Sequence, residues 1–318
     1  MKILVTGAAG FLGYHLAKRL ADDKSNQVLC VDNGVRGEYD RYYLELSKRS
    51  NIVRLDVDLT SLEDVLTLPD DVDLVYHLAA LNGTQNFYER PFDVVRCCTL
   101  PTLHLLEKYG RSKSLRRFVY AGTSESYAST VTRFGWEVPT DETVPLSLDD
   151  IFNPRWSYAG SKMHGEIAAV NASAQYGLPI TIIRYHNAYG PRMGDKHVVP
   201  DFYARAKQGV FALYGYEDTR SFIYVDDAIR ATIAVAETQA AQNEVVNIGG
   251  SREISMLELG QIMMRVAGFD GEIEKHPSPK GSVKRRCPNV DKLVALTGFE
   301  EQWSLERGLK ATADFYLA

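Results

Sequence analysis

The chain has 318 residues, of which 45% are hydrophobic and 24% are charged, and its formal net charge is −5. These values are typical of a soluble globular protein with one large or two modest domains. The acidic balance gives no general electrostatic reason to bind nucleic acid or an anionic membrane, and no apolar run approaches the roughly 18 residues of a membrane span. The four cysteines lack metal-ligand spacing, which favours reduced thiols in a cytoplasmic protein and no metal site.

The first half of the chain alternates strand and helix patterns. "MKILVTG" predicts a strand at the first residues rather than a secretory signal peptide, and further strands follow at "QVLCVDN", "NIVRLDVDL", "DLVYHLAA", "RRFVYAGT" and "PITIIRYHNAYG". The predicted helices are Phe11–Leu20, Ser61–Leu68, Leu100–Tyr109 and Tyr158–Tyr176, with Gly177 as the C-cap of the last.

This alternation predicts the α/β class, with a doubly wound, mostly parallel sheet and helices on both of its faces. After Pro191 the pattern loosens into loops, short helices and the strand "EVVNIGG". That part of the chain is expected to be a smaller region, interleaved with the first.

The segment "TGAAGFLG" follows the first strand at once and opens the first helix. Gly7, Gly10 and Gly13 form a variant of the dinucleotide-binding fingerprint, which needs a tight turn and close backbone approach to a pyrophosphate. Asp32 ends the second strand about 20 residues later, where a carboxylate would bind the adenosine 2′-hydroxyl and repel a 2′-phosphate. NAD is therefore favoured over NADP, although Arg36 could accommodate a phosphate. The alternative is a glycine-rich turn without a ligand.

Two further strand ends should line the same groove, because ligands of open α/β sheets bind beyond the carboxyl ends of strands. Asp56 could accept a hydrogen bond from the adenine amine. Ala79 and Ala80 would let the cofactor lie close to the backbone, or serve only tight packing. The predicted cofactor-binding residues are Gly7, Gly10, Phe11, Leu12, Gly13, Asp32, Asn33, Asp56, Val57, Leu78, Ala79, Ala80, Tyr158 and Lys162.

The stretch "RWSYAGSKMHGE" places Tyr158 and Lys162 one turn apart on one face of a predicted helix. A phenol with a pKa near ~10 is a poor base at neutral pH, and a nearby ammonium would lower that pKa. The pair is either a tuned proton shuttle or a surface contact. Glu125 follows Thr123 by two residues, so both side chains would face the same side of an extended strand end.

The motifs "TGAAGFLG", "HLAA", "GTSESY", "YAGSK" and "RSFIYVDD", in this order, resemble the extended short-chain dehydrogenase/reductase family. More narrowly they resemble its NAD-dependent nucleotide-sugar epimerases, dehydratases and decarboxylases, over nearly the whole chain. The resemblance implies that Tyr158 takes the proton from a sugar hydroxyl while hydride leaves for the nicotinamide. It implies that Lys162 holds the nicotinamide ribose and depresses the pKa of the tyrosine, and that Thr123 hydrogen-bonds the reacting hydroxyl.

The "TSE" triplet resembles that of 4,6-dehydratases and uronate decarboxylases, where it implies a catalytic Glu125; a loop-anchoring role is the alternative. Asn187 and Arg220 match positions that hold the nucleotide diphosphate, and "RRCPNV" around Arg286 resembles the decarboxylases. Each arginine could equally be a surface charge. The predicted catalytic residues are Thr123, Glu125, Tyr158 and Lys162, and the predicted substrate-binding residues are Ser124, Asn187, Arg220 and Arg286.

The resemblance therefore implies a Rossmann-type NAD-binding domain over residues 1–185, with some return from the later chain, and a mainly substrate-binding region over 186–318. The expected activity is epimerisation of a nucleotide-diphosphate sugar, UDP-linked, through transient oxidation to a 4-keto sugar with no net redox change. The alternatives are uronate decarboxylation, 4,6-dehydration, net dehydrogenation of a non-nucleotide substrate, and a non-catalytic dinucleotide sensor. The helices at Leu100–Tyr109 and Tyr158–Tyr176 match those that pair in family dimers, so a homodimer is expected.

Overall fold

A computed structural model describes residues 1–278 and 283–318 of the chain. The described chain divides into two compact units, each assembled from three stretches. The predicted division after residue 185 lies beside one of the crossings, but the chain passes between the units at other places too. The first unit comprises Met1–Ser126, Leu146–Arg184 and Ile233–Val246, and the second comprises Tyr127–Pro145, Tyr185–Thr232 and Asn247–Ala318.

The helices and strands alternate along the first part of the chain, as the sequence predicts. Up to residue 185 they are β1 (Lys2–Thr6), α1 (Phe11–Leu20), β2 (Gln27–Asp32), α2 (Arg41–Leu46), β3 (Ile52–Asp56), α3 (Leu62–Leu66), β4 (Leu74–His77), α4 (Thr84–Glu89), α5 (Pro91–Tyr109), β5 (Arg117–Thr123), α6 (Ala128–Phe134), α7 (Trp156–Tyr176) and β6 (Ile180–Tyr185). The elements that follow are β7 (Ala188–Tyr189), α8 (Val198–Ala206), β8 (Ala212–Tyr214), β9 (Thr219–Ser221), β10 (Ile223–Tyr224), α9 (Val225–Glu237), β11 (Val245–Ile248), β12 (Glu253–Ser255), α10 (Met256–Ala267), β13 (Glu274–His276), β14 (Arg285–Arg286), α11 (Asp291–Thr297) and α12 (Leu305–Leu317).

A seven-stranded sheet in the order β11-β6-β5-β4-β1-β2-β3 organises the first unit. The pairs that join β3, β2, β1, β4 and β5 are all parallel. The strand order reverses between β1 and β4, and such a switch point is where doubly wound sheets bind ligands. The α/β prediction is therefore confirmed.

The strands of this sheet are apolar on both faces because helices cover both of them. Every residue of β5 is buried, including Phe118 at its centre. Leu4, Val31, Val75 and Ile182 come from four other strands and belong with Phe118 to one buried cluster. This cluster fixes the strand ends on which the candidate site is built.

Some elements differ from the sequence prediction. Helix α5 begins at Pro91 rather than at Leu100, because Pro91 occupies its first turn and Pro101 is accommodated inside the helix. Helices α2, α4 and α6 were not predicted, and α9, α10 and α12 are longer than the short helices expected after Pro191.

The second unit contains small sheets rather than one large one. Its described strands form the pairs β10–β7 and β13–β8 and the three-stranded sheet β12-β9-β14. In that last sheet β14 runs parallel to β9, so Arg286 is the register partner of Arg220.

Candidate active site

The glycine turn after β1 is closely packed against the end of β4. Gly7 has a φ of +69°, in the left-handed region, and a Cβ atom there would lie 2.9 Å from the amide nitrogen of Ala79. A Cβ atom at Gly13 would lie 2.0 Å from the carbonyl oxygen of Gly7. Helix α1 begins at Phe11, followed by Leu12, without a side-chain cap or an acidic residue in its first turn. A tight turn that leads to such a helix N-terminus suits a pyrophosphate.

Asp32 braces this turn from the end of β2. Its carboxylate accepts hydrogen bonds of 2.9 Å from the Ala9 amide and 2.9 Å from the Gly34 amide. Burial raises the pKa of Asp32, while the hydrogen bonds from Gly34 and Ala9 act in the opposite direction. The adjacent Asn33 donates to Asp58 at 3.4 Å. A carboxylate at the end of β2, beside the glycine turn, is the acceptor that an adenosine ribose needs.

Asp56, the predicted adenine contact, has protein partners of its own. Arg54 donates to both of its carboxylate oxygens, at 2.8 and 2.7 Å, and the Tyr39 hydroxyl donates at 2.9 Å. These hydrogen bonds, led by that of Arg54, hold the pKa of Asp56 below its usual range. The following Val57 donates its amide to the Asp32 carbonyl at 3.3 Å. An adenine amine would have to share this carboxylate with Arg54.

A buried hydrogen-bond network, which the sequence reasoning missed, fixes the backbone just after β4. The Thr6 hydroxyl oxygen accepts the amides of Leu78 and Ala79, each at 3.1 Å, and lies 2.8 Å from His77 Nδ1. Its hydrogen must therefore point to Nδ1, so that Nε2 carries the ring hydrogen and donates to Thr102 at 3.0 Å. Burial lowers the pKa of His77 to about 3. A neutral histidine thus fixes the backbone at Ala79 and, through it, at Ala80.

Tyr158 lies at the start of α7, with its ring buried and stacked on Phe87 at a centroid distance of 5.3 Å. The side chains of Thr123 and Asn82 are close enough to its hydroxyl to favour the ionised form. Burial is the main reason that the pKa of Tyr158 is raised well above its ordinary value. The negative charge of Glu125 adds to the rise of the pKa, and the side chains of Thr123 and Asn82 oppose it.

Lys162 is also buried, one turn further along α7. Its ammonium donates to the Ala121 carbonyl at 2.9 Å and lies 5.9 Å from the centroid of the Tyr158 ring. Burial lowers the pKa of Lys162. In the protein alone burial outweighs the influences that lower the pKa of Tyr158, and the lowering of that pKa by Lys162 stays a prediction.

Glu125 is not on an extended strand end, as the sequence reasoning assumed, because residues Ser124–Tyr127 form a 3-10 helical turn. The turn begins where the Glu125 amide donates to the Thr123 hydroxyl at 3.2 Å. The Glu125 carboxylate lies 3.4 Å from the guanidinium of Arg155, with the two side chains about one-fifth exposed, at 22% and 21%. Arg155 was missed, although it opens the stretch that contains Tyr158 and Lys162.

The second unit holds the three remaining predicted substrate residues. Asn187 has a φ of 41° and donates its amide to the Ser221 carbonyl at 2.8 Å. The register of β9 and β14 puts Arg220 and Arg286 side by side, and Arg220 also donates to the Thr219 carbonyl at 2.8 Å. The Arg220 guanidinium also lies 3.7 Å from the Asp218 carboxylate, which offsets part of the positive charge at this end of β9. Ser124, by contrast, is buried in the first unit.

Within residues 1–278 and 283–318, no three His, Cys, Asp or Glu side chains are grouped so as to hold a metal ion. The same residues contain no helix long and apolar enough to cross a membrane. All four cysteines are free thiols. A surface depression of about 810 Å³ borders α10 in the second unit, and no predicted site residue lines it.

A glycine turn at a sheet switch point, an acid at the end of β2 and a buried tyrosine–lysine pair together define a dinucleotide-dependent enzyme of the short-chain dehydrogenase type. More particularly, the chain belongs to the NAD dependent epimerase/dehydratase family, whose family model matches residues 3–249. The predicted family, the prediction of an enzyme and the prediction of NAD as cofactor are thereby confirmed.

Known relatives cover almost the whole chain. It is 32% identical to a UDP-N-acetyl-alpha-D-glucosaminuronate decarboxylase from Bacillus cytotoxicus, over 99% of this chain and 97% of the relative. It is 30% identical to a UDP-glucuronate 4-epimerase from Thermodesulfobacterium geofontis, over 98% and 95%. A solved UDP-glucuronic acid 4-epimerase variant from Bacillus cereus, in complex with a fluorinated UDP-glucuronic acid and NAD, is similar with a TM-score of 0.89, at 27% identity over 100% and 99% of the two chains.

Proposed function

We propose that this chain is a 4-epimerase of a UDP-linked uronic acid, acting through transient oxidation at C4. The observation that carries the proposal is the buried pair Tyr158 and Lys162, one turn apart on α7 after the strand end that bears Thr123, within a family of NAD-dependent enzymes. The relatives support the substrate class, because the decarboxylase and both epimerases named above act on UDP-linked uronates.

Each side chain of the constellation has a distinct task. Tyr158, as phenolate, would take the proton of the C4 hydroxyl, and Thr123 would orient that hydroxyl. Bound NAD would accept a hydride from C4 and later return it, and its positive charge would favour the phenolate. Lys162, held by the Ala121 carbonyl, would bind the nicotinamide ribose. Asp32 would accept from the adenosine ribose, and the glycine turn would receive the pyrophosphate.

Inversion follows from the planar geometry of the ketone. Once C4 has lost its hydride and its hydroxyl proton, the 4-keto sugar can present its other face to the returning hydride. Tyr158 then gives the proton back to the C4 oxygen. The sugar ends with inverted configuration at C4, and the oxidation and the reduction cancel.

Decarboxylation is the second candidate, favoured by Glu125 and Arg155 and by the 32% identical decarboxylase. A ketone at C4 stands β to the C6 carboxylate of a uronate. The C5–C6 bond can then break with release of carbon dioxide, and its electron pair moves into an enolate at C4. A proton must next be added to C5, and a carboxyl group beside the catalytic tyrosine could supply it. Return of the hydride to C4 completes a pentose product.

The test is a proton NMR time course in deuterated water with purified protein, NAD and UDP-glucuronate. Appearance of the C4 epimer supports epimerisation, whereas a pentose nucleotide favours the second candidate. Steady accumulation of NADH would instead indicate a net dehydrogenase. An unchanged spectrum with both UDP-glucuronate and UDP-N-acetylglucosaminuronate would exclude the proposal and favour a sensor. Glu125→Gln separates the first two outcomes further, because it should suppress pentose formation and leave C4 inversion.

We also propose that the protein acts as a homodimer in the cytoplasm. Exposed apolar side chains recur at helical spacing on α5 (Phe92 and Val95) and on α7 (Ile167 and Val170). A second copy of the chain would cover both stripes, as in the helix pairing that the family resemblance implies. The free thiols suit a reducing compartment.

A further inference from the structure

The segment after β4 covers the ring of Tyr158. Phe87 of α4 stacks on the phenol with an interplanar angle of 15°, and Leu81 belongs to the same buried cluster. Between them lies Asn82, which is partly buried. None of the sequence motifs points to Asn82, since it lies two residues beyond the alanines of "HLAA".

Arg36 determines which way the Asn82 amide faces. The Arg36 guanidinium donates from Nη2 to Asn82 Oδ1 at 3.2 Å and from Nε to the Asn82 backbone carbonyl at 3.2 Å. A guanidinium has donors only, so the atom facing Arg36 must be the amide oxygen. The amide nitrogen then faces the other way, as a donor. Asn86 holds the same backbone carbonyl at 2.8 Å, which fixes the position of the residue.

We propose that Asn82 is a further catalytic residue, which donates a hydrogen bond from its amide nitrogen to the Tyr158 oxygen and stabilises the phenolate. Leu81 and Phe87, on either side of Asn82 in the chain, pack with the Tyr158 ring and so bring the Asn82 side chain towards the phenol, and the Arg36 hydrogen bonds leave its amide nitrogen as the donor. Donation to the charged form favours that form. It opposes burial and the charge of Glu125, which both favour the neutral phenol.

Arg36 is then a positioning residue. It lies on the loop after β2, four residues beyond Asp32, and reaches the loop after β4. Arg36, which could have accommodated a 2′-phosphate, is thus hydrogen-bonded to Asn82, the proposed donor to the Tyr158 oxygen. A neutral amide suits this place, because a carboxylate at residue 82 would keep the Arg36 contact but repel the phenolate.

This inference rests on the proposed function only in assigning the phenolate to catalysis, so its test needs no substrate. Fluorotyrosine is incorporated into the NAD-loaded protein, and fluorine NMR follows the phenol of residue 158 as the pH is raised. The Tyr158→Phe variant assigns its signal among the 18 tyrosines. Asn82→Ala should lower the acid dissociation constant of Tyr158 roughly tenfold, as expected for loss of one hydrogen bond to a charged group. Asn82→Asp should lower it further.

Three controls keep the test decisive. Gln85→Ala, at an exposed position of the same segment, should leave the dissociation constant unchanged. NAD content is measured in every variant and the dissociation constants are compared at equal NAD occupancy, because lost NAD would by itself disfavour the phenolate. A purely structural role for Asn82 predicts that the difference from the wild type disappears at equal occupancy. Arg36→Ala, at an exposed residue, should shift Tyr158 in the same direction even if the Asn82 variants fail to fold. An unchanged dissociation constant in Asn82→Ala or in Arg36→Ala would overturn the inference, whatever the NMR time course with UDP-glucuronate shows.

Discussion

At the scale of single residues, the phenol of Tyr158 is subject to opposing influences. Burial and the nearby carboxylate of Glu125 favour the neutral form, while the side chains of Thr123 and Asn82 favour the phenolate. The ammonium of Lys162 is fixed to a backbone carbonyl rather than to the phenol oxygen. Without NAD the Tyr158 phenol is therefore a very weak acid. The positive charge of bound nicotinamide would stabilise its phenolate, which is the form that acts as a base.

This balance predicts the pH dependence of turnover. Because the pKa of Tyr158 is raised, the phenolate fraction grows as pH rises, and kcat on UDP-glucuronate should increase with pH on the acid side of its optimum. Tyr158→Phe should reduce kcat about 10²- to 10⁴-fold, the usual contribution of a general base. Phenylalanine keeps the stack on Phe87, so bound NAD should be retained. The measurements are initial rates across pH and NAD content after denaturation; a flat profile in the wild type would contradict this assignment.

Local motifs made part of the site predictable, and tertiary contacts hid the rest. The glycine turn and Asp32 follow directly from their positions after β1 and β2. Asn82 and Arg155 were missed because their roles depend on partners far along the chain, Arg36 and Glu125. The alternation of side chains along a strand could not predict the direction of Glu125, because a 3-10 helical turn follows β5 directly. The available signals were a polar residue just beyond "HLAA" and an arginine just before the tyrosine helix.

At the scale of elements, the end of β4 depends on a histidine that stays neutral. The pKa of His77 is about 3 in the folded chain, against roughly 6.5 in an unfolded one, so the unfolded chain binds more protons between these values. The free energy of unfolding should therefore decrease as pH falls below about 6.5, by up to roughly 1.4 kcal/mol per pH unit from this residue.

Chemical denaturation across that pH range tests the effect. His77→Gln, which cannot acquire the charge, should have a shallower pH slope, although its overall stability will be lower. His164→Gln, at an exposed position on α7, provides the matched control and should retain the slope of the wild type. Equal slopes in all three proteins would show that His77 is not responsible.

Helix α7 approaches β5 closely because of Gly165. A Cβ atom there would lie 2.0 Å from the Tyr120 hydroxyl oxygen, a buried group. Gly165→Ala should therefore displace the helix and lower the free energy of unfolding by about 1–3 kcal/mol. At Gly160 on the same helix a Cβ atom would meet only the end of the Leu148 side chain, at 3.2 Å. Gly160→Ala should be neutral or slightly stabilising, and thermal denaturation compares the two.

The sequence predicted the elements best where a strand and a helix alternate. Helix α1 has the predicted bounds, and α7 ends where Gly177 was expected to cap it. The small strands of the second unit gave little signal, because runs of two or three residues show no periodicity. Pro101 shows the converse: a residue that usually breaks helices is tolerated inside α5.

At the scale of the whole molecule, the apolar stripes on α5 and α7 predict self-association. The exposed fractions of Ile167 and Val170 are 61% and 49%. Ile167→Lys combined with Val170→Asp should give a monomer in light scattering, whereas the wild type should have twice the mass of the chain. Leu66→Lys, an equally exposed apolar position on α3, is the control and should remain dimeric. A monomeric wild type would end the dimer proposal.

The order in which the ribosome makes the chain has a consequence for the first unit. That unit takes its last stretch, Ile233–Val246, from late in the sequence, and β6 bonds to it through Asn243 and Glu244. Until those residues emerge, β6 is an open sheet edge with unpaired backbone groups, which invites pairing with other nascent chains. The enzyme is therefore most exposed to aggregation during its own synthesis, after α7 has been made and before β11 pairs with β6.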